Sequence, residues 1–293
     1  MNLKDKFSGI FPALLTPFDS NGNLNLKVLE QLIELNIKKG IKGFYVCGST
    51  AEAFLLTEAE RRTLYRATKE IVGNRCTLIA HIGAISTDLS TDYALLAEEL
   101  GYDAVSSVAP FYYKFSFEEI RQYYFDIVEK TSLPMLIYNF PNFSGVNLSV
   151  DQISQFLSDD RFIGVKHTSN DYFALSGFKI AFPEKIIYNG FDEMMLAGLS
   201  MGADGGIGST YNIMAEKFIT LMALVKENHL DEARELQNTI NIIIRAMCDV
   251  GVMQAEKALL CEMGLDFGIA RKPFAPLSAE KQQKLVDTVM PLL

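Results

Sequence analysis

The chain has 293 residues, 49% hydrophobic and 22% charged, the balance of a folded protein with a substantial core. A formal charge of −9 and a pI near 5.0 argue against a nucleic-acid or anionic-membrane partner. No apolar stretch approaches the roughly 20 residues of a membrane span, and Met1–Lys6 lacks the apolar core of a secretory leader, so a cytoplasmic protein is expected.

In chain order, strand-like runs alternate with helical patterns. Gly9 to Leu15 reads as a first strand. A helix follows from Asn25 as N-cap to Gly40, with Leu26, Leu29, Leu32, Ile33 and Ile37 on one face. Next come Gly43–Cys47 and a helix opened by the capping box Thr57 to Glu60. Thr77–His81 precedes a helix from about Asp88 to Leu100. Ala104–Val108 precedes one capped by Ser116 with Glu119. Met135–Tyr138 precedes one capped by Ser149 with Gln152. A run ending in Lys166 leads to a helix from about Asp171 to Ala181. Ile186–Tyr188 leads to a short helix from Asp192 to Ser200. Gly205–Ile207 leads to a helix after Asn212.

Eight strand-then-helix units imply a parallel sheet, and their number suits a closed (β/α)8 TIM barrel of about 250 residues. A doubly wound open sheet is the structural rival. Strand signals stop after Lys217, and helical periodicity continues to Val289. The reading is therefore a barrel over 1–228 with a C-terminal helical extension over 229–293 packed on it. Cys47, Cys76, Cys248 and Cys261 stand far apart and read as reduced thiols. His81, His167 and His229 show no metal-ligand spacing, so no metal is expected.

In such a barrel, functional residues belong just after the strands. Phe162–Val165 has the length and composition of a buried strand, and Lys166 closes it. Burial would lower the amine's pKa from about 10.4 and leave a neutral nitrogen able to attack a ketone. A lysine snorkelling into solvent, or paired with a carboxylate, is the ordinary alternative. Gly48-Ser49-Thr50-Ala51-Glu52 after the second strand offers hydroxyls and backbone N–H groups in a tight turn, a nest for a carboxylate. Tyr138 closes the fifth strand, beside the Lys166 strand in a barrel. A phenol there can relay protons if a cation or hydrogen bond lowers its pKa from about 10. Its alternative is a core aromatic with a satisfied hydroxyl.

After the seventh strand come Gly190, Asp192 and Glu193. The acids either serve a helix dipole or accept hydrogen bonds from sugar hydroxyls, and they would repel a phosphate. Gly202 to Thr210 lacks dinucleotide and nucleotide-loop spacing, so its glycines are expected to admit a substrate close to the backbone. His167 follows Lys166 and should point away from it, between barrel and helices. Cys47 borders the Gly-Ser-Thr turn, where thiol reagents could reach it.

Gly48-Ser49-Thr50-x-Glu52, Tyr138-Asn139-x-Pro141 and Gly164-x-Lys166-x-Thr168, in this order and spacing, resemble the pyruvate-dependent class I aldolases over essentially the whole chain. Dihydrodipicolinate synthases of that family usually carry an arginine shortly after the Tyr-Asn-x-Pro motif. Asn142 to Val146 has no basic residue. Instead Ser144-Gly145-Val146, Gly190-Phe191-Asp192-Glu193-Met194, Gly206 to Asn212 and Pro110 to Glu119 look like the branch that cleaves N-acetylneuraminate. The departure is Ala51, where the family more often has glycine; the extra methyl could tighten the turn.

The resemblance implies that Lys166 forms the Schiff base and Tyr138 relays the proton, while Ser49 and Thr50 clamp the pyruvoyl carboxylate. It implies sugar contacts from Thr168, Gly190, Asp192, Glu193 and Ser209. It implies that Tyr112 is lent across a subunit contact of a homotetramer, a dimer of dimers. The expected reaction is reversible cleavage of N-acetylneuraminate to N-acetylmannosamine and pyruvate, with no metal or organic cofactor. An aldolase for another 2-keto-3-deoxy sugar acid, and a non-catalytic keto-acid sensor, are the rivals.

Overall fold

Short runs of apolar residues, buried on both faces, make the strands of this protein. The computed structural model describes residues 3–293. The strands are β1 (Gly9–Pro12), β2 (Gly43–Val46), β3 (Thr77–His81), β4 (Ala104–Val108), β5 (Met135–Asn139), β6 (Phe162–His167), β7 (Ile186–Asn189) and β8 (Gly205–Gly208). All ladders are parallel, in the order β1-β8-β7-β6-β5-β4-β3-β2. A parallel bridge between Ala13 and Tyr45 joins the two ends, with the Leu14 N–H donating to the Tyr45 carbonyl at 2.9 Å. The sheet is thus a closed (β/α)8 barrel, not an open doubly wound sheet.

Side chains alternate along each strand, so the barrel divides its apolar residues into two layers. Phe11, Tyr45, Leu136, Tyr138, Tyr188 and Ile207 belong to the interior cluster. A larger cluster lies between barrel and helices. Lys166 stands in register with Tyr138 on β5 and Tyr188 on β7. Its partners on both sides are interior residues, so Lys166 is an interior residue too.

The helices form where caps and periodicity place them. Thr57, Ser116 and Ser149 each close a reciprocal capping box, which satisfies N–H groups the first turn cannot bond internally. Differences from the sequence reading are local. β1 ends at Pro12 rather than Leu15, where its partner β8 ends at Gly208; the Ala13 N–H still donates to the Gly208 carbonyl at 2.8 Å. The element after β7 is a 3₁₀ turn, Asp192–Met194, followed by the helix Met195–Ser200. A helix over Leu3–Phe7 was not foreseen; Phe7 enters the interior cluster, and the Tyr188 hydroxyl donates to its carbonyl.

The helix Tyr211–Lys226 ends near Asn228, whose φ of 64° turns the chain into Leu230–Cys248. Val252–Glu262 and Ala279–Val289 complete the C-terminal helices. The outer apolar cluster runs from the barrel into Ile240, Leu259 and Leu285 of these helices. Among the described residues, no helix is long and apolar enough to cross a membrane.

Candidate active site

At the C-terminal end of β6 the Lys166 side chain is drawn inside, 5% exposed. Its Nζ lies 3.9 Å from the Tyr138 ring centroid and 4.5 Å from that of Tyr45. Among the described residues it has no carboxylate at ion-pair distance. Two effects compete for its proton. Ring faces favour the cation by about 0.5–2 kcal/mol. Burial opposes the charge and wins, lowering the pKa from 10.5 to about 7, with the more distant Asp192 charge pulling the other way. That change is worth about 5 kcal/mol, which the rings cannot offset. At neutral pH a large share of the amine is therefore uncharged and nucleophilic.

The Tyr138 phenol moves in the other direction from the one expected. Burial pushes it above its usual value, and the hydroxyls of Ser49 and Thr168 only partly counter this. It is a protonated donor at neutral pH, not a standing base. Thr168 follows β6, and its buried Oγ1 makes no hydrogen bond of normal geometry. Gly190 is what lets Thr168 stand there, since a Cβ on Gly190 would overlap its Oγ1. Tyr45 donates to Ser106 Oγ at 3.0 Å, which fixes the second ring beneath the amine.

Facing Lys166 across the barrel, the chain leaves β2 through a 3₁₀ turn, Ser49–Ala51, whose Ser49 and Thr50 are partly exposed. Glu52 ends the turn in the left-handed region, at φ 57°. Its carboxylate explains why a non-glycine residue holds that conformation. Glu52 Oε1 meets Lys257 Nζ at 2.6 Å, both side chains being fully buried, and Oε2 accepts the Arg271 N–H at 2.6 Å. Arg271 in turn holds Glu60 by two bonds of 2.7 and 2.8 Å. The turn is thus anchored to the C-terminal helices. Ala51 is not in the left-handed region, so the turn needs no glycine there; its methyl is buried and its carbonyl accepts from Thr16 at 2.8 Å.

Asp192 is buried beside β8, where its Oδ2 accepts the Thr210 N–H at 2.9 Å and the Thr210 hydroxyl at 2.7 Å. Burial raises its carboxyl to about 6 against those two bonds. The glycine-rich β8 serves this packing. A Cβ on Gly208 would overlap the Asp192 carboxyl, and one on Gly205 would overlap the Gly9 carbonyl. These glycines make room for the protein's own groups. Ser209 and Glu193 remain partly exposed at the same rim. A cleft of about 420 Å³ opens beside Ser49 between Phe54, Phe111, Phe140 and Phe143.

A sequence profile described as the dihydrodipicolinate synthetase family matches residues 6–291. The chain belongs to this family. Its backbone superposes on a solved structure of CdNal from Clostridium difficile in complex with mannosamine with a TM-score of 0.96, at 37% identity over 98% of this chain and 99% of that one. N-acetylneuraminate lyase from Fusobacterium nucleatum complexed with pyruvate is 35% identical, over 100% of this chain and 99% of that one, TM-score 0.95. A catalytic lysine mutant of the Ruminococcus gnavus sialic acid aldolase is 30% identical over all of both chains, TM-score 0.93.

Within this family member, the structure gathers Lys166, Tyr138, Ser49 and Thr168 at one end of the barrel, with Thr50, Gly190, Asp192, Glu193 and Ser209 around them. Tyr112 stands apart. It is 83% exposed, at φ 78°, and its ring contacts Tyr113 at 5.0 Å. His167 points outward as expected, its ring bonded to Asn139 Nδ2 and the Asp171 carbonyl and packed on Phe178. Cys47 is not open to reagents: it is buried, and burial pushes its thiol up to about 12. Sequence reasoning passed over Lys257 and Arg271, which hold the Ser49 turn, and Glu256, which lies near Ser209. The signal was present: Glu256 and Lys257 interrupt an apolar helix between Ala255 and Leu259-Leu260.

Proposed function

We propose that this protein is a Schiff-base aldolase that cleaves N-acetylneuraminate reversibly to N-acetylmannosamine and pyruvate. One observation carries the reading: a buried amine with no carboxylate partner, its pKa drawn to about 7, stacked 3.9 Å from a phenol ring on the adjoining strand. An ordinary structural lysine has neither feature. The names of the similar structures, one with pyruvate and one a catalytic lysine mutant, support the same chemistry.

The open-chain sugar acid seats its carboxylate on the Ser49 and Thr50 hydroxyls and the turn's N–H groups. Neutral Lys166 Nζ attacks the ketone carbon, and the carbinolamine takes up one proton from solvent and loses water to leave an iminium. The hydroxyl proton on the carbon beyond the scissile bond passes to Tyr138, which hands its own proton to the carboxylate held at Ser49. The alkoxide collapses to an aldehyde. The C–C bonding pair flows into the iminium, giving an enamine and releasing N-acetylmannosamine. Protonation of the enamine carbon and hydrolysis of the resulting iminium free pyruvate and Lys166. The iminium is the electron sink, so the step needs no metal or organic cofactor.

Thr168, Gly190, Asp192, Glu193 and Ser209 form the wall for the sugar half. Residues 1–228 make the catalytic unit, with 229–293 bracing it. We also infer a homotetramer in which the exposed Tyr112 reaches a neighbouring subunit's site. The lack of a basic residue over Asn142–Val146 disfavours a second substrate carboxylate there.

The test is borohydride reduction in the presence of pyruvate, followed by mass mapping. A reduced pyruvyl adduct on Lys166 is expected, and its absence ends the aldolase reading. Pyruvate release from N-acetylneuraminate, compared with release from 2-keto-3-deoxygluconate, decides the substrate. Ligand binding without turnover of either would indicate a sensor.

A further inference from the structure

Glu256, on the helix Val252–Glu262, is an anomaly in the wall behind the site. It is 0% exposed, and neither carboxyl oxygen makes a hydrogen bond of normal geometry. Buried polar groups are nearly always paired, because an unpaired one has lost its hydration and gained nothing. Its neighbour Lys257 cannot serve it, being turned onto Glu52 at 2.6 Å. The groups that bear on it are Ser209, Asp192 and Lys257. Ser209 follows β8 and is partly exposed at the barrel rim; Asp192 is bonded to Thr210. Ser209 is therefore the polar side chain that stands between Glu256 and a bound ligand.

We propose that Glu256 is a positioning residue for Ser209, setting which way that hydroxyl presents itself to the sugar half of the substrate. This rests on the aldolase reading above. A serine hydroxyl has one proton and two lone pairs. If a carboxylic acid behind it donates to Oγ, the serine proton points forward and is offered to the ligand. If a carboxylate accepts that proton, the ligand meets only lone pairs. Burial raises Glu256 to about 8, against the pull of Ser209, so the acid form dominates at neutral pH. Ser209 then acts as a donor toward an acceptor on the sugar half, such as an ether, hydroxyl or amide oxygen. An apolar residue in its place would leave the serine free to rotate.

The test uses the full-length protein with Glu256→Leu, Glu256→Gln, Ser209→Ala and the double variant Ser209→Ala/Glu256→Leu. KM and kcat are read for N-acetylneuraminate cleavage, or for 2-keto-3-deoxygluconate if that is the acid turned over, together with Tm and pyruvate trapping. Glu256→Leu should raise KM about tenfold, the loss of one oriented hydrogen bond, with kcat and trapping little changed. It should also raise Tm, since an apolar side chain replaces an unpaired buried acid. Glu256→Gln, which keeps a donor and an acceptor, should restore KM to near wild type. In the Ser209→Ala background, Glu256→Leu should change KM less than twofold. An unchanged KM in Glu256→Leu, a full tenfold effect persisting without Ser209, or a fall in Tm with no change in KM each overturns the proposal. Wild-type protein that traps no pyruvate sinks the aldolase reading and this inference together; trapping with an unchanged Glu256→Leu KM sinks this inference alone.

Discussion

Lys166 and Lys257 are both withdrawn from water, at 5% and 1% exposure, yet the protein treats them oppositely. Lys257 is given a carboxylate at 2.6 Å, a carbonyl of Ile269 at 3.2 Å and the face of Phe18. Burial depresses its pKa, and Glu52 opposes that. Lys166 is given two aromatic faces and no ion-pair partner among the described residues. Burial sets the cost of a charge, and the partner decides whether the group keeps it. A compensated lysine fastens a loop. An uncompensated one sheds its proton and becomes reactive.

The comparison breaks most sharply at Lys166. Lys166→Met should lower cleavage by about 10⁴-fold or more and abolish pyruvate trapping. The same change should stabilise the fold. Between about pH 7, where the buried amine loses its proton, and about 10.4, where the unfolded one does, the unfolded state holds more protons. Wild-type stability therefore climbs with pH across that window and carries the full burial penalty below it. The gain from Lys166→Met, at most about 5 kcal/mol, should be largest below pH 7 and shrink above it in urea unfolding. A loss of stability at pH 6 would show that Lys166 is structural.

At the other lysine the signs reverse. Glu52→Gln strands a buried charge and should cost about 3–5 kcal/mol. It should also raise KM, because the Ser49 turn loses its anchor. Glu52→Gln/Lys257→Met should recover much of the stability; failure to recover would mean the pair contributes more than mutual compensation.

Tyr138→Phe keeps the ring beneath the amine and removes only the proton relay. A fall of about 10²–10³ in kcat is expected, with trapping retained. Loss of trapping instead would assign the phenol to carbonyl attack.

The smallest effect is in the pH profile. The reactive form of Lys166 is the neutral one, so kcat/KM should rise about tenfold per pH unit below about 7 and level off above it. A plateau extending to pH 5 would contradict an amine that titrates near neutrality.

Much of this was legible before any coordinates. Strand and helix alternation gave the barrel, and the Thr57, Ser116 and Ser149 caps placed their helices within a residue. Lys166 and Tyr138 could be set side by side because neighbouring units in a barrel pair, as they do in register here. Less legible were groups whose partners are remote in sequence. Glu52 sits in a quoted motif, but Lys257 lies 205 positions further on. The direction of the Tyr138 shift depended on how completely the site is buried. That Asp192 fills the space beside Gly208 is likewise a contact between residues the sequence alone does not pair.

By itself, then, the sequence determined the barrel, its order of units and the residue types at each strand end, because periodicity and capping are local properties of the chain. Tertiary structure alone decided the charge states. A pKa answers to everything within several ångströms, and only folding brings Tyr45, Asp192 and Ser209 around groups that the chain carries far apart.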